Sequence, residues 1–258
     1  MLTETKTHPI RDSITMFGRS MRTTLRHPDT LVTGMFVPVL LMLLFVYVFG
    51  GAMNMGEYSV VDFIVPGILM QVLGQVSSNT AIGMNGDLRT GMIDRFRSMA
   101  ISKSALMNGH MLSALVRNIV TATLVIGTAI LIGFRPTANV FDWLMILGVL
   151  VLYILVLTWC AIIVGLVSGT AESAAGGMML AFILPYISSG FVPTDTMPAA
   201  LRVFAENQPM TPIINTLRSL MLGRGPGDDL WLAIVWCAGI LVVSYVVAVQ
   251  IYKRKLTK

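Results

Sequence analysis

The residues that could do chemistry in this chain are few and do not converge. His8, His27 and His110 are scattered, and no HExxH or CxxC pairing offers metal-ligand spacing. Cys160 and Cys237, the only cysteines, each sit inside an apolar block and read as packing residues, so a disulfide framework has no support. The sequence has no GxSxG serine elbow and no GxxxxGK phosphate loop followed by Ser or Thr, and the cluster of Gly223, Gly225 and Gly227 lacks the lysine and hydroxyl such a loop needs. No ATPase site, metal or cofactor is therefore expected in this chain. Asp62, Asp142 and Glu172 fall near the borders of apolar blocks, so proton coupling has no evident carrier at mid-membrane.

What the apolar blocks do hold is uncharged polarity. Gln71, Gln75 and Asn79 are spaced four apart, which stacks three amides along one face of a helix. Facing lipid, such a row would be costly, so it is expected to face protein or a wet path. Two roles stay open for it: hydrogen bonds that hold helices together, or contact with a substrate. Ser188 and Ser189 beside Gly190 are candidates of the same kind, and 19 methionines add soft surface that can mould to ligands or lipid.

The segment 85–103 mixes charges of both signs with regularly placed apolar residues. Asp87, Arg89, Asp94, Arg95, Arg97 and Lys103 are interleaved with Met92, Ile93, Phe96, Met99 and Ile101 around Gly91. A short amphipathic helix that docks on a soluble partner has this composition, whereas a loop that only sets topology needs no such apolar members.

These groups need elements to position them. The chain has 258 residues, 55% hydrophobic and 12% charged, against about 25% charged for an ordinary soluble domain. With a mean hydropathy of +0.78 it reads as an all-α, polytopic membrane protein, a single transmembrane domain over 1–258. Six spans are expected, near 30–50, 60–82, 111–133, 143–167, 171–192 and 231–252. Of the 18 Lys and Arg, only Arg135, Arg202, Arg218 and Arg224 fall on one side, so both termini are expected in the cytoplasm. The net charge of +5 then reports topology, and nothing marks a nucleic-acid module. No cleavable signal peptide is expected, because residues 1–29 lack an apolar central run.

Over 10–27, Ile10, Ile14, Phe17, Met21 and Leu25 form a stripe with Arg11, Arg19, Arg22 and Arg26 largely off it, which predicts an amphipathic helix on the membrane surface. Pro38, Pro66 and Pro185 can kink the spans that contain them. The longest non-spanning stretch, 193–230, combines five prolines with apolar residues such as Ile213, Ile214, Leu217 and Leu220. Short helices that dip back toward the membrane are expected there.

Four patches resemble the membrane permeases of type-2 ATP-binding-cassette exporters, and among them the daunorubicin-resistance drug permeases. They are Leu-Arg-His-Pro at 25–28, Phe-Ile-Val-Pro-Gly at 63–67, Gly-Met-Ile-Asp-Arg-Phe-Arg at 91–97, and Phe-Val-Pro at 191–193 with Met-Pro at 197–198 and Asn-Gln-Pro at 207–209. One departure is Ala100, where similar permeases usually carry proline. The resemblance implies a bacterial plasma-membrane permease that pairs with a second permease, identical or paralogous, and with two cytoplasmic ATPase subunits that bind ATP and Mg. It also implies that 87–101 is the coupling helix, that the helix carrying Phe17, Arg22 and Arg26 is its companion, that 194–222 are re-entrant helices, and that a hydrophobic small molecule passes near Gln71, Gln75 and Asn79. Lipid or polysaccharide precursors are alternative cargoes. A non-conducting membrane scaffold is the alternative from another class.

Overall fold

The computed structural model describes residues 9–25, 28–51, 57–91 and 105–257, and every regular element among them is helical. In chain order these are α1 (Pro9–Leu25), α2 (Pro28–Leu43) running into a π turn (Leu44–Val48), α3 (Val60–Arg89), α4 (Ala105–Ile132), α5 (Val140–Val167), α6 (Ala171–Gly177), α7 (Met179–Ile183), α8 (Ala199–Asn207), α9 (Met210–Met221) and α10 (Asp229–Thr257). Helices α3, α4, α5 and α10 are long and apolar enough to cross a membrane. The segments expected as first and fifth spans hold shorter apolar helices, Phe36–Val48 and Ala171–Ile187. The second of these is broken because Gly176 and Gly177 stand together before Met178 and Pro185 cannot donate to the ladder, so α6, α7 and a 3-10 turn at Leu184–Ile187 replace one continuous helix.

Helix ends are set by local chemistry. The Ser59 hydroxyl accepts from the Asp62 amide at 3.1 Å to start α3, and reciprocal capping boxes, Asn139 with Asp142 and Thr170 with Ser173, start α5 and α6. At the far end of α3 the chain turns out through Gly91, whose φ of 66° lies in the left-handed region where only glycine is unstrained. The loop expected over 85–103 therefore begins only after Arg89, since 85–89 is still helix.

Helix α3 is the centre of the bundle and is packed by α2, α4, α5, α6, α7 and α9. It is the least apolar of the four long helices yet the most enclosed, while α10 is far more apolar and the most open. A membrane protein can arrange itself so because lipid is as apolar as a core, and polar groups are better kept among neighbours. Backbones approach where side chains are absent: a Cβ on Gly67 would overlap the Gly190 backbone, and one on Gly74 would lie 2.6 Å from the Ala181 carbonyl oxygen. Such glycine contacts are the usual means of close helix packing in a membrane.

The bundle has two distinct ends. At one, α1 lies on the start of α4, Met16 seated against Gly109 and the Ser113 hydroxyl donating to the Phe17 carbonyl at 3.4 Å. This contact uses the Ser13 and Met16 side of α1 and leaves Ile14 exposed. Met84, Leu106, Trp159, Leu166 and Tyr252 pack together near this end, which brings the last turns of α10 to it as well. At the other end, α9 is buried through Ile213, Ile214, Leu217, Leu220 and Met221 against α3, α5 and α10.

Candidate functional site

The amide row runs along α3 from the core toward the α1 end. Gln71 is fully buried, and neither of its amide atoms has a hydrogen-bond partner among the described residues. Gln75 is half-buried with its Oε1 likewise unpartnered, and Asn79 is exposed. Burying an unpaired amide costs about 1–3 kcal/mol, a cost that no described residue offsets at Gln71.

Asn79 opens into a cavity of about 440 Å³ between α1, α3 and α4. Its walls include Arg19, Thr80, Asp87, His110 and Arg117. Asp87, at the last turn of α3, is ion-paired with Arg19 and lies 2.8 Å from His110 Nε2. These contacts tie α1 to α3 and α4. Arg117 is buried in α4; its Nη2 donates to the Thr80 hydroxyl at 2.7 Å, its Nε has no partner, and no carboxylate among the described residues pairs with it. Asn85 nearby donates to the Ser168 carbonyl at 2.6 Å and so closes the end of α5.

The opposite end is organised by Arg218 on α9. Its Nε and Nη2 donate to the Phe63 carbonyl at 3.1 and 2.9 Å, Nη2 also donates to the Ser189 carbonyl at 2.5 Å, and Nη1 donates to Asn215 Oδ1 at 2.9 Å. The guanidinium lies over the Phe63 ring, 3.8 Å from its centroid. Burial pulls its pKa down to about 10, which leaves it charged at neutral pH. Ser189 also donates its hydroxyl to Asn215 at 2.7 Å, and Ser188 closes its own turn by donating to the Pro185 carbonyl at 2.6 Å. Gln208 donates to the Ile187 carbonyl at 2.6 Å, completing the end of the broken helix. Phe45, Tyr186 and Phe191 stack beside this turn, with Tyr186 and Phe191 nearly parallel at 4.7 Å.

Comparison with known proteins is decisive for the family, because the ABC-2 type transporter family matches residues 12–222. The chain belongs to the ABC-2 type transporter family. Among its relatives, the daunorubicin resistance ABC transporter permease protein DrrB1 of Streptomyces coeruleorubidus is 25% identical over 244 residues, 94% of this chain and 86% of that protein. The probable doxorubicin resistance ABC transporter permease protein DrrC of Mycobacterium tuberculosis is 24% identical over 233 residues, 88% of this chain and 83% of that protein.

In this ABC-2 permease the expected site residues separate into three groups. Gln71, Gln75 and Asn79 share one helix face that leads to the cavity. Ser188 and Ser189 are engaged with their own turn and with α9. Asp87 is held between Arg19 and His110, Arg89 is exposed, Gly91 ends α3, Phe17 is half-buried against α4 and Arg22 is exposed. Asp94, Arg95, Phe96, Arg97, Ile101 and Arg26 lie outside the described residues. Sequence reasoning did not single out Arg117, His110 or Arg218. A signal was there: Arg117 stands inside an apolar span, and Arg218 interrupts the apolar stripe of Ile213, Ile214, Leu217 and Leu220.

Proposed function

We propose that this chain is the membrane-spanning subunit of an exporter that moves a hydrophobic or amphipathic, drug-like compound outward, using ATP and Mg bound by a separate cytoplasmic ATPase. The observation that carries this reading is the near-full-length likeness to two permeases named for daunorubicin and doxorubicin resistance. The α1 end faces the cytoplasm, as the placement of Lys and Arg implies. Helices α2 and α6–α7 serve as the first and fifth of six spans, and α8–α9 as re-entrant helices at the outer side. A second permease, a copy or a paralogue, completes the path, and two ATPase subunits drive it.

The amide row borders that path. Both amide atoms of Gln71 and the Oε1 of Gln75 lack partners among the described residues, which is what a surface shared with a second subunit or a passing substrate would leave behind. Because Asp87 is already bound to Arg19 and His110, docking of the ATPase falls to Arg89, Asp94, Arg95, Phe96, Arg97 and Ile101. ATP binding closes the ATPase pair and tilts this segment. In vesicles holding the permease with its ATPase, Asp94→Lys and Arg95→Glu should each leave membrane insertion intact and remove the stimulation of ATPase activity by substrate. Undiminished stimulation and transport in both variants would remove the docking role from this segment.

A further inference from the structure

The cavity at the α1 end carries a charge pattern that a hydrophobic cargo does not require. Two arginines and a histidine line it, Arg19, Arg117 and His110, with a single carboxylate, Asp87, that is already shared by Arg19 and His110. Arg117, only 9% exposed, has among the described residues a neutral hydroxyl as its one partner and its Nε unpaired. A buried cation in that condition is stabilised by an anion that enters the cavity beside it. The Asn79 amide faces the same space, so donors converge from three helices, more than the two oxygens of a carboxylate require. Helix α1, which walls the cavity with Arg19, keeps Ile14 exposed on its outer stripe, the arrangement of a helix seated at headgroup depth, where phosphate is the prevalent anion.

We infer that this cavity is a phosphate-binding site, with Arg117 and Arg19 as the charged donors and Asn79 as the polar one. The phosphate belongs either to a membrane-lipid headgroup or to a soluble phosphate. The site is separate from the energy source, so its test needs neither the ATPase nor transport.

The test is native mass spectrometry of the full-length chain released from detergent with phosphatidic acid, with diacylglycerol of the same acyl chains, or with inorganic phosphate. Phosphatidic acid should be retained and diacylglycerol not. Arg117→Gln should weaken retention about tenfold, the loss of one charge-assisted hydrogen bond. Asn79→Trp, which fills the cavity while leaving every charge in place, should weaken it as well and guards against a folding defect in the first variant. Displacement of the lipid by inorganic phosphate would make the phosphate group itself the ligand from either source; retention of lipid in its presence would make the source a headgroup. Equal retention of phosphatidic acid and diacylglycerol, or unchanged retention of phosphatidic acid by both variants, would overturn the proposal.

Discussion

Arg218 and Arg117 are both buried arginines, 5% and 9% exposed, yet they sit in opposite states. Every nitrogen of Arg218 is matched to a carbonyl or an amide oxygen, and it joins α9, the start of α3 and the turn at Ser189 into one unit. Among the described residues Arg117 has one bond, to Thr80, and an open cavity beside it. The planar fork of a guanidinium can satisfy several acceptors at once, and only at the α9 end does the backbone supply them. A satisfied buried charge holds structure in place, and an unsatisfied one waits for something to arrive. By that criterion the α9 end of the bundle is a fixed closure and the α1 end is a receiving surface.

Substitutions separate the two. Arg218→Leu should have the largest effect, a loss of about 3 kcal/mol or more, because it leaves the Phe63 and Ser189 carbonyls and Asn215 without their donor. Unfolding by SDS titration of the purified protein would show it, and a stability unchanged by Arg218→Leu would break the contrast. Arg117→Gln should stay within about 1 kcal/mol of the parent in the same titration, since one hydroxyl bond is all the fold gives up. A large loss there would make Arg117 a second structural anchor. Smallest in stability is Gln71→Leu, a near-isosteric change expected to raise it by up to about 1 kcal/mol by removing two unpartnered amide atoms. The same variant should reduce export. Lower stability with lower export would instead assign the amide to bonding between subunits.

Much of this was legible in the chain. The spacing of Gln71, Gln75 and Asn79 did stack them on one helix face, and the amphipathic stripe around Phe17 did become α1. The apolar residues between the prolines of 193–230 did form short helices, α8 and α9. What the sequence could not reveal depended on contacts across the fold. Arg218 looked like one of four outer charges, because its partner Phe63 lies 155 residues away. Asp87 looked like part of a docking loop, because nothing before Gly91 marks where α3 stops, and His110, dismissed as isolated, meets it only when α3 and α4 pack. The resemblance patches at 63–67, 191–193 and 207–209 also find their physical reason here. Phe63 receives Arg218, Gly67 lets the chain at Gly190 come close, and Gln208 ends the broken helix that precedes Phe191.

The central claim, that this ABC-2 permease exports an amphipathic compound on energy supplied by a separate ATPase, is tested most directly by drug flux in sealed vesicles. Inverted membrane vesicles carrying the chain and its ATPase should accumulate a fluorescent anthracycline when ATP and Mg are added. Accumulation should stop when ATP is replaced by a non-hydrolysable analogue or when this chain is omitted. Equal accumulation with and without ATP, or with and without this chain, would contradict the account.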